Sequence, residues 1–163
     1  MKKSGLLIIL LGCGSLLFAQ SIKKVKIEDL ATYIGKTEHP LVVNFWATWC
    51  APCVHELTYF QTNIKKYAAQ KVELVLVSLD FKNDYPKKIA DFIRARKYEG
   101  SFFWLDETDA DHFCPRIDEK WDGAIPASLF VNNKTGYHTF FGRQLTEPQL
   151  QLELKALTKQ ESK

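Results

Sequence analysis

Two cysteines, Cys50 and Cys53, lie where the hydrophobic pattern of this chain changes, and this junction constrains the fold more than any other feature. Residues 41–46, immediately upstream, have the sequence LVVNFW, an apolar β-rich run typical of a strand buried on both faces. From Ala51 onward the spacing of the apolar residues becomes helical. These helical-spaced residues are Leu57, Phe60, Ile64 and Tyr67. The sequence therefore predicts a buried strand that leads through the two cysteines into a helix.

This position favours redox chemistry of the two thiols. The unpaired N–H groups and the dipole of a helix N-terminus stabilise a thiolate, which is the reactive form of cysteine. We expect Cys50 to lie exposed at the helix cap as the nucleophile, and Cys53, one turn further, to resolve a mixed disulfide formed on Cys50. Pro52 suits the first helical turn and holds the spacing rigid. The expected redox group is the Cys50–Cys53 disulfide, with no other cofactor.

Two other functions of such a pair have to be weighed, namely a structural disulfide and half of a zinc site. A bridge across two intervening residues closes a very small loop and stabilises little through loop entropy. Zinc needs two more ligands, for which His112 and Cys114 are the candidates, but their spacing does not match a common zinc half-site. We therefore predict no metal.

Helical and strand patterns alternate along the rest of the chain. A short helix from Ile27 to Ile34, closed by Gly35, precedes the first strand. The later predicted elements are a strand at 72–79, a helix at 86–97, a strand at 101–105, a hairpin at 127–131 and 137–141, and a last helix with a capping box at Thr146 and Gln149. A parallel half thus joins an antiparallel half, which predicts an α/β fold with a central mixed sheet flanked by helices.

Residues 45–53, FWATWCAPC, closely resemble the active-site signature FWAxWCxPC of thioredoxin-like proteins. With Glu56 three residues after the second cysteine, a targeting segment and extra elements in the middle, the chain resembles the TlpA/ResA branch, the exported bacterial disulfide reductases. The resemblance implies a thioredoxin fold with a β-α insertion in the middle, and a cis bond between Ile125 and Pro126 opposite the cysteines. The substrate-binding residues that we expect are Trp49, Pro52, Ile125 and Pro126.

Asn44 departs from the thioredoxin pattern, because thioredoxins carry a buried Asp at the corresponding place in this strand. An asparagine cannot take a proton, so Asn44 cannot be a general base for Cys53. Glu56, one helical turn beyond Cys53, could relay the proton instead, since partial desolvation raises the pKa of a carboxyl group. A solvated glutamate on the outer helix face is an equally good interpretation of Glu56.

The N-terminal residues are typical of a targeting segment, with two lysines, an apolar stretch and a small residue, Ala19, before a potential cleavage point. We predict a signal peptide at residues 1–19 and a thioredoxin-like domain at residues 20–163. Residues 10–13, LLGC, also resemble a lipobox, so lipidation of Cys13 and an uncleaved anchor are alternatives. In each case the domain is exported, either periplasmic or membrane-anchored and facing the periplasm, where disulfides persist.

The charge balance gives no reason to expect nucleic acid or an anionic membrane surface as a partner. The formal net charge is +3, and without the two N-terminal lysines 20 basic residues face 19 acidic ones. Cys114 is left as an odd thiol if Cys13 is removed. It is either a buried inert residue, a third redox group or an intermolecular link. Its neighbours Phe113 and Pro115 supply no cation that would activate it, which favours burial.

The predicted activity is reduction of protein disulfides. The direction follows from the resemblance, because family members with proline before the second cysteine, as Pro52 here, tend to be reducing. A reductase outside the cytoplasm needs an electron source, and we expect a membrane thiol-transfer protein. Apocytochrome c, whose haem-attachment cysteines must be reduced, is one client that the resemblance implies. The alternatives are an oxidase or isomerase, and a non-enzymatic docking module that traps one thiol partner.

Overall fold

The computed structural model describes residues 21–159, so the predicted signal peptide and Cys13 lie outside the described residues. The strands are β1 (Lys23–Val25), β2 (Leu41–Trp46), β3 (Glu73–Ser78), β4 (Ser101–Leu105), β5 (Ala127–Asn132) and β6 (Tyr137–Phe141). The helices are α1 (Ile27–Lys36), α2 (Ala51–Lys65), α3 (Lys87–Arg96), α4 (Ala110–Ile117) and α5 (Glu147–Leu157), with short 3-10 turns at Ala68–Gln70 and Lys82–Asp84. None of the helices within residues 21–159 is long and apolar enough to cross a membrane.

The strands form one mixed sheet in the order β1-β4-β3-β2-β5-β6. The first four strands in this order are parallel, and β5 and β6 each run antiparallel to the preceding neighbour. The insertion predicted in the middle of the chain supplies α3 and β4, and β4 lies between β1 and β3 in the sheet. The predicted α/β architecture is therefore confirmed.

Strand β2 is buried on both faces, as its apolar sequence predicts. Val42 and Trp46 face an apolar cluster that includes the buried sides of α2, α3 and α5. Val43 and Phe45 face a second cluster, on the other side of the sheet, that includes α1 and α4. Strand β2 therefore lies at the centre of a three-layered core. Its buried end fixes the position of the segment that leads to the cysteines.

The end of α1 differs from the prediction. Gly35, expected to close the helix, lies inside its last turn, and the helix continues to Lys36. The helix end is held by side chains instead of a glycine, since Asn133 Nδ2 donates to the carbonyl oxygens of Ile34 and Thr37 at 2.8 Å each. A contact from a residue so far along the chain leaves no local signal in the sequence.

Two elements were not predicted. Strand β1 has three residues, two of them exposed lysines, and it is a strand because it pairs with the edge of β4. Helix α4 contains Pro115, a residue that normally interrupts helices. Asp109 begins this helix by accepting a hydrogen bond from the His112 N–H, and Phe113, Cys114 and Ile117 are buried along its inner face. Tertiary burial thus stabilises a helix that propensity alone disfavours.

Candidate active site

The two cysteines lie where the sequence predicts. Cys50 is the N-cap residue of α2, Cys53 is in its first turn, and a disulfide joins them. The Cys53 N–H donates to Cys50 Sγ at 3.3 Å, so the sulfur faces the unpaired donors of the helix end. The prediction that Cys50 is exposed is wrong for this oxidised form, because Cys50 is only 5% exposed and Cys53 is fully buried. Cys50 packs against the apolar cluster around α2.

The peptide bond between Ile125 and Pro126 is cis, which confirms the expectation from the family resemblance. Ala127 pairs with Phe45 in the sheet, so Pro126 lies opposite Trp46, the last residue of β2, at the end of the sheet from which the chain leads to Cys50. Ile125 is partly buried and packs against both apolar clusters.

Glu56 is fully buried, so the alternative of a solvated glutamate on the outer helix face is wrong. Asn44 Nδ2 donates to Glu56 Oε1 at 2.8 Å, and the Leu145 N–H donates to Glu56 Oε2 at 3.0 Å. Burial raises the pKa of the Glu56 carboxyl to about 7, while these two hydrogen bonds act in the opposite direction. The carboxyl can therefore hold or release a proton near neutral pH.

Asn44 also contacts Ser128, a polar residue inside the apolar strand β5 that the sequence analysis missed. The Asn44 Nδ2 group donates to Ser128 Oγ at 2.9 Å, while Asn44 Oδ1 is buried and has no hydrogen-bond partner in the part of the chain that the structure describes. The amide group is thus oriented by its two acceptors, Ser128 and Glu56, at the expense of an unpaired oxygen.

The loop between β6 and α5 braces the first turns of α2. Gln144 Nε2 donates to the carbonyl oxygen of Pro52 at 3.3 Å and lies 3.1 Å from His55 Nδ1. The hydroxyl of Tyr59 donates to the Leu145 carbonyl oxygen. Pro52 is exposed in the first turn of α2 as predicted, and His55 is on an exposed helical turn.

Asp80, two residues after the end of β3, was also not predicted, although a lone acidic residue near the end of a buried strand is a recognisable signal. It is 4% exposed and accepts hydrogen bonds from Thr48 N at 3.0 Å, Thr48 Oγ1 at 2.6 Å and Ser78 Oγ at 2.7 Å. The Asp80 carbonyl oxygen accepts a fourth from Trp104 Nε1 at 2.8 Å. Asp80 therefore ties the loop after β3 to the loop that leads into Cys50.

Trp49 is the residue before Cys50, and its side chain is 54% exposed. It stacks on Phe81, which is 69% exposed, with ring centroids 6.0 Å apart and an interplanar angle of 20°. Trp46, Trp104 and Trp121 are buried in the core.

Cys114 and His112 lie away from the cysteine pair. Cys114 is buried among the residues of the second cluster, on the opposite face of the sheet, and has no disulfide partner among residues 21–159. His112 Nε2 lies 3.3 Å from Glu28 Oε1. The zinc site considered from these two residues is therefore not assembled, and residues 21–159 contain no group of three or more potential metal ligands.

The sequence of residues 16–135, well over half of the chain, matches the profile of the AhpC/TSA family. The chain belongs to the AhpC/TSA family. Among curated relatives, this chain is 32% identical over 76 residues to the sporulation thiol-disulfide oxidoreductase A of Bacillus subtilis. The matched segment covers 47% of this chain and 45% of the relative. This chain is also 50% identical over 40 residues to the thiol-disulfide oxidoreductase ResA of Oceanobacillus iheyensis, covering 24% of this chain and 21% of the relative.

The chain thus spans less than half the length of these curated relatives. Among solved structures, this AhpC/TSA family member is similar to a thioredoxin-related protein from Neisseria meningitidis serogroup B. The TM-score is 0.61 at 21% identity, over 74% of this chain and 86% of the other. This likeness confirms the predicted thioredoxin fold.

Proposed function

We propose that this chain is an extracytoplasmic thiol-disulfide oxidoreductase that reduces disulfides in other proteins. The observation that carries the proposal is the Cys50–Cys53 disulfide at the N-terminus of α2, where the Cys53 N–H already donates to Cys50 Sγ. The same donor would stabilise a thiolate on Cys50 once the pair is reduced. The similarity to two thiol-disulfide oxidoreductases supports this reaction class.

The reaction begins from the reduced pair. The Cys50 thiolate attacks one sulfur of a client disulfide, which forms a Cys50–client bond and releases the other client sulfur as a thiolate that takes up a proton. The Cys53 thiol loses its proton and attacks Cys50 Sγ, so the second client sulfur leaves. The client gains two electrons and two protons, and the protein ends as the Cys50–Cys53 disulfide.

Glu56 is suited to accept the proton of Cys53 in the second step. It lies one helical turn after Cys53, and its pKa of about 7 lets both protonation states occur near neutral pH. Asn44 orients the carboxyl group but cannot itself take the proton. The same carboxyl would return a proton when a donor reduces the disulfide.

Trp49, Pro52, Ile125 and Pro126 are proposed to bind the client chain. Trp49 precedes Cys50, Pro52 lies between the two cysteines, and both are exposed. The Ile125–Pro126 segment lies at the same end of the sheet. The client can lie extended beside Cys50 and pair with the Ile125 backbone, and recognition through main-chain hydrogen bonds tolerates many sequences.

The direction, compartment and partners are proposals that rest on the sequence. Pro52 between the cysteines favours a reductase by family resemblance, and residues 1–19 favour export to the periplasm. A membrane thiol-transfer protein would then supply electrons, and apocytochrome c is a client of suitable chemistry. An oxidase or isomerase, and a module that docks one thiol partner, are the competing functions.

A trapping experiment tests the reaction. Cys53→Ser removes the resolving thiol, so mixed disulfides between Cys50 and clients should accumulate on non-reducing gels. The matched variant Cys50→Ser, which removes the nucleophile, should trap none. Many trapped species support an exchange enzyme, one dominant species supports the docking module instead, and no species at all contradicts the proposed function.

A further inference from the structure

Trp49 and Phe81 form an exposed aromatic pair beside the cysteines. The large apolar side chains that are exposed within residues 21–159 are Trp49, Phe81 and Leu152. Trp49 and Phe81 stack on each other, and both remain more than half exposed. Aromatic rings supply a large contact area and are enriched where proteins recognise partners.

The pair is held in place by buried contacts. Trp49 follows Thr48, and Phe81 follows Asp80, so each ring is next in sequence to one member of a hydrogen-bonded pair. The backbone N–H and the hydroxyl of Thr48 both donate to the Asp80 carboxylate, which is itself 4% exposed. The two loops therefore present the rings at a fixed separation before any client arrives, which lowers the entropy cost of binding.

The position of the aromatic pair next to Cys50 indicates which molecule binds to it. Trp49 is bonded to Cys50, whose sulfur is the atom that a client cysteine must reach. Because Trp49 precedes Cys50 and Phe81 stacks on Trp49, a client whose sulfur is bonded to Cys50 would bring the residues next to its cysteine close to the aromatic pair. The occupant is therefore a client side chain and not a separate ligand.

We propose that Phe81, together with Trp49, binds an apolar and preferably aromatic side chain adjacent to the reacting cysteine of the client. This inference rests on the proposed function and makes Phe81 a specificity-determining residue for it. A ring contact of this kind corresponds to a preference of about two- to tenfold in rate for an aromatic over a small polar neighbour.

The test uses two cyclic peptides, each closed by one disulfide, that differ only in having Phe or Ser before one cysteine. The reduced 163-residue chain should react with the Phe peptide about two- to tenfold faster than with the Ser peptide. Phe81→Ala should abolish this preference while leaving the rate with the Ser peptide and the reduction potential unchanged. Phe81→Tyr, which keeps the ring, should retain the preference, and Leu152→Ala is the control for loss of an exposed apolar side chain elsewhere.

The other outcomes of the peptide experiment would contradict the inference or the proposed function. An equal rate with both peptides, or a preference that survives Phe81→Ala, overturns the inference and leaves the proposed function intact. Failure to react with either peptide contradicts the proposed function itself. A change in oligomeric state on Phe81→Ala without a change in preference identifies a second copy of this chain as the occupant and also overturns the inference.

Discussion

The side-chain amide of Asn44 on β2 donates to Glu56 Oε1 on α2 at 2.8 Å, and both residues are fully buried. The Leu145 N–H donates to the other oxygen of the same carboxyl group. Both donors favour the anion, while burial favours the neutral acid and has the larger effect, so the pKa of Glu56 rises from 4.5 to about 7. The buried carboxyl group one helical turn beyond the resolving cysteine can therefore exchange protons near neutral pH.

This pKa predicts how stability depends on pH. Because the folded-state pKa of Glu56 lies above its ordinary value, the folded protein binds more protons between pH 4.5 and about 7, and its free energy of unfolding falls as pH rises through that range. Glu56→Gln has the same size and does not titrate. Between pH 4.5 and about 7, we expect the free energy of unfolding of the wild-type protein to fall by on the order of 3 kcal/mol more than that of the variant.

The comparison is made by urea unfolding of both proteins in their oxidised forms, so that Cys50 and Cys53 do not titrate. All other ionisable groups are common to the two proteins and cancel in the difference. Parallel pH profiles would show that Glu56 is not shifted and would remove its proposed part in proton transfer.

Cys114 is predicted to be unreactive in the folded protein. Burial, and then the nearby negative charges of Asp122 and Asp111, raise the pKa of its thiol from 9.0 to about 11. At a given pH near 8 the folded protein then has about 100-fold less thiolate at this residue than the unfolded protein. In a Cys13→Ser background, alkylation by iodoacetamide should be slower by at least about that factor than in urea.

Peptide mapping of the alkylated protein locates the modified residue. Rapid labelling of Cys114 in the folded chain, or a disulfide-linked dimer abolished by Cys114→Ser, would establish it as a third redox group or an intermolecular link.

We predict that the hydrogen bonds of the Asp80 carboxylate contribute substantially to the free energy of unfolding. Its carboxylate accepts hydrogen bonds from Thr48 and Ser78, and an asparagine in its place would turn a donor toward at least one of these donors. We expect Asp80→Asn to lower the free energy of unfolding by about 2 kcal/mol, since hydrogen bonds to buried charges are stronger than neutral ones.

Asp91→Asn is the matched control, because Asp91 is an exposed carboxylate paired with Lys87 and Arg94 on the surface of α3. Its removal should have a much smaller effect, as is usual for surface ion pairs. If thermal or urea unfolding showed that both variants lower the free energy of unfolding equally, the role assigned to the Asp80 contacts would be contradicted.

The local features of the site could be predicted from the sequence. The run before Cys50 predicts a strand, the apolar spacing after it predicts a helix, and Thr146 with Gln149 predicts the capping box that the structure confirms. The cis bond before Pro126 followed from family resemblance. The strand, the helix and the capping box each depend on neighbouring residues, so the sequence alone is sufficient for them, whereas the cis bond required the family resemblance.

The features that the sequence did not predict depend on contacts between distant parts of the chain. Whether Glu56 is buried depends on Leu145, which is 89 residues away and packs onto α2 from the loop before α5. The same applies to Asp80 and Thr48, which are 32 residues apart. The low exposure of Cys50 likewise reflects its packing in an apolar cluster built from distant elements, which the spacing of the cysteines does not reveal.

The measurement that tests the central claim most directly is the reduction potential of the Cys50–Cys53 pair. The protein is equilibrated against glutathione or dithiothreitol buffers, with Cys114→Ser as a control that the pair alone is observed. A reductase requires a value near or below that of thioredoxin, about −270 mV, and this is the result that we predict. A value near that of strong periplasmic oxidants, about −120 mV, would contradict the account and make the protein a disulfide donor.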